Sequence, residues 1–265
     1  MPFALTGFFL AVKYAGNPFE WKILILIILC MVFARNAAMA FNRYIDREID
    51  TRNPRTALRE IPLGLVRPSS ALHFTWINAL LFIATTFFIN QITLRLSPVA
   101  LLLILGYSFT KKFTSLSHFI LGLSLSLAPI GAYLAVTGEF DFIPLLFSLI
   151  VIFWVSGFDI IYALQDHEFD KTEKLKSIPV LFGKKNSILI SIILHIIVAI
   201  IVIYIGVYLH AGISYWSGSI LFTGLLLYQH ILVKPHDLSK INIAFFTTNG
   251  IASIIYAFFT IFELY

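Results

Sequence analysis

The chain reads as an all-α integral membrane protein, a nine-helix transmembrane bundle with two aspartate-rich helix ends facing a cytoplasmic-side cavity. Three observations predict this. Of 265 residues, 59% are hydrophobic and 12% charged, with a mean hydropathy of +0.89; soluble domains sit near 45–50% and about 25%. Apolar runs near the ~20 residues a span requires follow one another along the chain, too continuous for the alternation of a membrane barrel. Most of the 19 lysines and arginines fall in alternate loops, the asymmetry that sets membrane topology.

Spans are expected at 2–16, 19–42, 70–91, 94–110, 116–136, 142–165, 187–208, 213–232 and 241–262, making residues 1–265 one polytopic domain. The first run, Pro2 to Val12, is short and closed by Lys13. It lacks the basic lead and cleavage site of a signal peptide and reads as a first helix whose natural start lies upstream. After the second span come Arg43, Arg47, Arg52, Arg55, Arg59 and Arg67; after the fourth, Lys111 and Lys112. After the sixth come Lys171, Lys174, Lys176, Lys184 and Lys185; after the eighth, Lys234 and Lys240. Lys13, Lys22 and Arg95 lie on the other side, and Arg35 lies within a span. The crowded side is therefore expected to be cytoplasmic, with the amino terminus inside and Tyr265 outside. The charge of +5 is accounted for by topology and implies no nucleic-acid partner. The single cysteine, Cys30, can form no internal disulfide.

Most acids share the basic side. Asn42-Arg-Tyr-Ile-Asp46-Arg-Glu-Ile-Asp50 closes the second span, and Tyr162-Ala-Leu-Gln-Asp166-His-Glu-Phe-Asp170 closes the sixth. A step of four along a helix turns about 40° and climbs about 6 Å, so each set shares a face. Like charges at that spacing destabilise a helix and call for a counter-ion. Mg²⁺, which takes one or two carboxylates plus substrate phosphates, fits Asp46, Asp50, Asp166 and Asp170, with Asn42 assisting and a diphosphate between the two ends. Glu48 reads instead as paired with Arg52 at i+4, and Glu168 likewise as paired with neighbouring arginines. The two regions resemble a worn internal repeat, each followed by Ile-Pro (Ile61-Pro62, Ile178-Pro179) and then a glycine, Gly64 or Gly183.

Arg55, Arg59 and Lys111 are the candidate diphosphate binders, since guanidinium forks and ammonium charges suit phosphate oxygens. Arg35 and Asp159 each lie seven residues before a motif. Intramembrane charges usually face a cavity: either the two neutralise each other, or they line a pocket for an acceptor, Arg35 being available to a carboxylate. Tyr107 and Tyr162 are candidates to shield a cation in that pocket. The seven histidines are scattered, without the paired spacing of a zinc site. A secondary transporter, the non-enzyme alternative, predicts charges deep in several spans. A CDP-alcohol phosphotransferase predicts a DGxxAR signature, which is missing.

NxxxDxxxD, then Arg55-Thr-Ala-Leu-Arg59, then Tyr107-Ser-Phe-Thr-Lys111, then the second DxxxD together resemble the UbiA superfamily of intramembrane aromatic prenyltransferases. Asn36 to Gly64 and Gly157 to Gly183 carry the match, and the nine-helix layout extends it over nearly the whole chain. Tyr162-Ala-Leu-Gln-Asp166 and Lys176-Ser-Ile-Pro179 are most similar to the 4-hydroxybenzoate polyprenyltransferase branch and its menaquinone-pathway relatives. The resemblance implies Mg²⁺-dependent transfer of a polyprenyl group from a prenyl diphosphate to a ring carbon of an aromatic acid such as 4-hydroxybenzoate, in ubiquinone or menaquinone biosynthesis. A naphthoate-type menaquinone precursor, or a macrocyclic acceptor, stays open. The partners implied are the two substrates and the lipid bilayer, with no protein partner. Family members carry a longer lead-in to the first helix than this chain does.

Overall fold

A chain this apolar must satisfy its backbone internally where it meets lipid, and helices do so segment by segment. The computed structural model describes residues 1–265 and contains nine such segments: α1 (Pro2–Tyr14), α2 (Trp21–Arg52), α3 (Pro68–Phe87), α4 (Gln91–Thr110), α5 (Ser117–Thr137), α6 (Phe142–Thr172), α7 (Ile178–Tyr208), α8 (Ile213–Leu232) and α9 (Ile243–Glu263). Seven are long and apolar enough to cross a membrane; α1 is shorter and α8 less apolar. Short polar caps begin three of them. Asn90 accepts the Thr93 amide at 2.9 Å, Asp141 that of Ile143 at 3.2 Å, and Ser177 that of Val180 at 3.4 Å, each satisfying an amide that the helix leaves unpaired.

From α2 onward consecutive helices pack as neighbours, and α1 is inserted against α5 and α9. In lipid, close backbone approach replaces the hydrophobic drive between helices. At α5–α6, a Cβ on Gly122 would lie 2.6 Å from the Ile152 carbonyl oxygen, so only glycine permits that approach. The largest core surrounds α6: Phe147, Ile150 and Val151 meet Leu10 of α1, Val198 and Val202 of α7, Phe222 of α8 and Tyr256 of α9. The core between α3 and α4 is small, centred on Ala79, Phe82 and Leu101. Little of α2 is buried.

The basic loops gather at one end. Arg52 reaches Glu173 at 2.9 Å, the Lys176 amide donates to the Lys111 carbonyl at 2.8 Å, and Val233 and Ile241 pack with Ile161 and Leu164. At the opposite end Lys13 lies over the Tyr265 ring, and Glu263 accepts the Gly212 amide. Three boundaries differ from expectation. α2 runs past 42 to Arg52 without a break. α7 starts at Ile178, not 187, because its first turn bends through Gly183 (φ 74°, ψ 167°) and the helix then resumes. α6 runs past 165 by tightening into a 3₁₀ turn over Leu164–Asp166 before the turn His167–Thr172.

Candidate active site

The first motif rides on the last turns of α2, which continues unbroken to Arg52. Asp46 and Asp50 are both buried, at 3% exposure. Asn42 Nδ2 donates to Asp46 Oδ2 at 3.2 Å, so the i, i+4 spacing places these two together as expected. Lys111, at the end of α4, sets its Nζ 2.8 Å from the same oxygen. Arg59 reaches back from the α2–α3 loop to both oxygens of Asp50, at 2.7 and 2.8 Å.

The second motif is bound to the first by that loop. Arg55 donates to Asp166 through Nε at 2.9 Å and Nη2 at 2.5 Å, and through Nη1 to the Tyr162 hydroxyl at 2.9 Å. Burial works against the Arg55 charge, but the bonds to Asp166 and Tyr162 outweigh it and raise its pKa, so the guanidinium stays charged. Asn53 Nδ2 donates to Asp166 Oδ1 at 3.0 Å, while its own Oδ1 accepts the Arg55 amide at 3.0 Å. Asp170, half-buried, makes no ion pair within the chain. Thus four aspartates face three cations.

No three acidic, histidine or cysteine side chains converge as a metal cage. A divalent ion with several waters and phosphate oxygens needs no such cage. The donor set fits one: Asp46 Oδ1 is a buried carboxylate oxygen without any partner, and Asp170 is left uncompensated. Buried carboxylate oxygens are costly unless paired with a cation.

The deeper residues divide. Arg35 is exposed on α2 and does not pair with Asp159. Asp159 instead meets His118 of α5 at 2.7 Å, so mutual neutralisation is overturned: the heptad offsets place each charge near the site face, but a nearer partner takes the carboxylate. Tyr107 is half-buried on α4, one helical turn before Lys111. Glu48 contacts Arg47 at 3.2 Å, whereas the Arg52 guanidinium spans to Glu173; the expected Glu48–Arg52 pair gives way to a bridge between the motif regions. Glu168 meets His167 at 2.9 Å and Lys184 at 3.8 Å, so its partners are not the arginines expected.

Tyr162 is fixed from behind. The Phe245 ring stacks on it at 4.0 Å between centroids. Phe245 belongs to a π-helical segment, Ile243–Thr248, opening α9. Asn249 closes that segment, its Nδ2 donating to the carbonyls of Ala244 and Phe245 at 3.2 and 3.0 Å. Such π segments recur at functional sites. The sequence reading missed Asn53 and His118. Asn53 directly precedes Pro54-Arg55, a signal that was legible; His118 carries no motif.

Residues 1–251 match the model of the UbiA prenyltransferase family. The chain is 30% identical over 252 residues to the 4-hydroxybenzoate octaprenyltransferase of Aliivibrio fischeri (strain MJ11), covering 95% of this chain and 86% of that one. It is 31% identical to the same-named protein of Aliivibrio salmonicida, covering 95% and 87%. Among solved structures, a UbiA homolog from Aeropyrum pernix K1 superposes with a TM-score of 0.89 at 27% identity, covering 100% of this chain and 98% of that one. A UbiA homolog from Archaeoglobus fulgidus bound to GPP and Mg²⁺ shares the fold, with a TM-score of 0.72 at 21% identity and coverage of 99% and 96%.

Proposed function

Because the chain belongs to the UbiA prenyltransferase family and is a multi-pass membrane prenyltransferase, we propose that it transfers a polyprenyl group from a prenyl diphosphate to a ring carbon of an aromatic acid such as 4-hydroxybenzoate, with Mg²⁺, on the cytoplasmic side and in quinone biosynthesis. One observation carries the reading: three cations from two different elements sit on the aspartates of both motifs, and Arg55, from the loop that follows the first motif, holds Asp166 of the second. The two same-named relatives support the choice of acceptor. The homolog bound to GPP and Mg²⁺ supports the choice of metal and donor. The basic loops at the site's end support the cytoplasmic orientation. A transporter does not belong to this family.

Asn42, Asp46, Asp50, Asp166 and Asp170 would hold Mg²⁺, which supplies charge neutralisation for a departing diphosphate. Arg55, Arg59 and Lys111 take up charge that develops on the diphosphate as the allylic C–O bond breaks. The Tyr162 and Tyr107 rings face the resulting carbocation; aromatic faces contribute about 0.5–2 kcal/mol each. Walls that exclude water keep the cation from being captured as an alcohol. Arg35 takes the acceptor's carboxylate and Asp159 its phenolic hydroxyl, so a ring carbon is presented to the cation. The ring carbon then gives its proton to the released diphosphate, and aromaticity returns.

The test is an assay of the purified protein in lipid with Mg²⁺, labelled prenyl diphosphates of several lengths, and a panel of hydroxybenzoic and hydroxynaphthoic acids. Metal-dependent C-prenylation of a hydroxybenzoate is expected. Turnover of none of the aromatic acids, or unchanged turnover in a chelator, overturns the reading.

A further inference from the structure

His118 lies in the first turn of α5 and is buried, at 4% exposure. Its Nδ1 lies 2.7 Å from Asp159 Oδ2 across the α5–α6 interface. On the far side of the ring, the amide N–H of Ile178, the first residue of α7, points at Nε2 from 3.5 Å. A donor facing Nε2 makes that nitrogen the acceptor, so the ring proton belongs on Nδ1 and is given to Asp159. Ser156 of α6 steadies the same turn by donating to the His118 carbonyl at 3.2 Å. Three helices therefore fix this imidazole. Only Oδ2 of Asp159 is engaged within the chain, and 22% of the side chain stays accessible.

We propose that His118 is a positioning residue for the acceptor. It holds Asp159 by one carboxylate oxygen so that the other accepts the hydrogen bond of the acceptor's phenolic hydroxyl. This rests on the reading of Asp159 as an acceptor-pocket group. His118 orients and does not relay, because the Ile178 amide engages its far nitrogen. The contact also ties acceptor to donor. Ile178 follows Lys176 and Ser177, and the Lys176 amide is bonded to the carbonyl of Lys111, one of the three cations at the diphosphate site.

The experiment compares His118→Phe, which keeps a ring and removes the donor, with His118→Asn, whose side-chain N–H replaces the one on Nδ1. His118→Phe should raise the acceptor KM about tenfold, the lower end for loss of an orienting partner, with donor KM unchanged. His118→Asn should recover most of that loss. In an Asp159→Asn background, His118→Phe should add nothing. If His118→Phe fails to accumulate, His118→Gln makes the same test, since its amide reaches the Nε2 position. Equal impairment in the donor-keeping and donor-lacking variants, a joint rise in both KM values, or additivity with Asp159→Asn overturns the inference. An effect of Asp159→Asn without one of His118→Phe overturns the role of His118 alone. An unchanged acceptor KM in Asp159→Asn overturns the acceptor-pocket reading itself, and this inference with it.

Discussion

The two acidic helix ends share a spacing but not a construction. On α2 the helix is unbroken, both aspartates are buried, and each is met by a cation from another segment. On α6 the backbone tightens through Leu164–Asp166; Asp166 is held by Arg55 and Asn53, whereas Asp170 has no ion-pair partner. The first clamp is internally neutralised and the second half open. The excess carboxylate therefore sits on the α6 side, at Asp170. Charge compensation, not symmetry of the motif, decides where a divalent ion gains most.

The largest expected effect is shared by both ends. Asp46→Ala or Asp166→Ala should lower kcat by about 10³-fold or more, at the upper end of what a lost electrostatic partner costs, with the protein still monodisperse in detergent. Wild-type turnover in either purified variant breaks the metal-holding role. Removing Mg²⁺ with a chelator should abolish product formation, and added Mg²⁺ should restore it. Next, Arg55→Gln and Arg59→Gln should each reduce kcat/KM for the prenyl diphosphate by about 10²-fold.

Stability separates the two ends. Asp50→Ala strands the Arg59 guanidinium and should lower the thermal midpoint, while Asp170→Ala breaks no pair and should lose activity with its midpoint intact. Equal midpoints would dissolve the contrast. A smaller effect is specific to the acceptor: Arg35→Ala should raise acceptor KM about tenfold, the scale of one lost charge-assisted bond of about 1.5 kcal/mol, and equal shifts for both substrates would remove Arg35 from the pocket. The glycines after the two Ile-Pro steps bear on stability alone. Gly64 and Gly183 both adopt positive φ, 73° and 74°, with open space where a Cβ would lie. Gly183→Ala should cost about 1–3 kcal/mol through the backbone alone, read in thermal unfolding. Gly106→Ala, in an ordinary helical turn of α4, should cost nothing measurable.

Much of the fold was legible because lipid admits few alternatives: long apolar runs read as spans, and the basic loops sorted the two ends. The boundaries missed lie where local chemistry masks a helix. Gly183-Lys184-Lys185-Asn186 reads as a loop, yet the chain only kinks at Gly183 before continuing. Gln165-Asp166-His167 reads as an ending, yet the helix tightens and carries on. At the site, the i, i+4 rule located Asn42 beside Asp46, but Arg55, Arg59 and Lys111 were read as phosphate binders, not as the direct partners of Asp166, Asp50 and Asp46. It could not foresee that Asp159 prefers His118, 41 residues away, over Arg35. Nor could it foresee that Arg52 passes over Glu48 for Glu173. Partners across a cleft leave no periodicity to read.

The wider turn at the start of α9 makes one wall of the pocket depend on a count of residues. Deleting a single residue between Ile243 and Thr248 would return that stretch to ordinary helical winding and leave the rest of α9 nearly in phase. Phe245 would lose its place against Tyr162, while the face that α9 presents to α8 would hold. The extra residue thus shapes the wall locally without disturbing the packing beyond it.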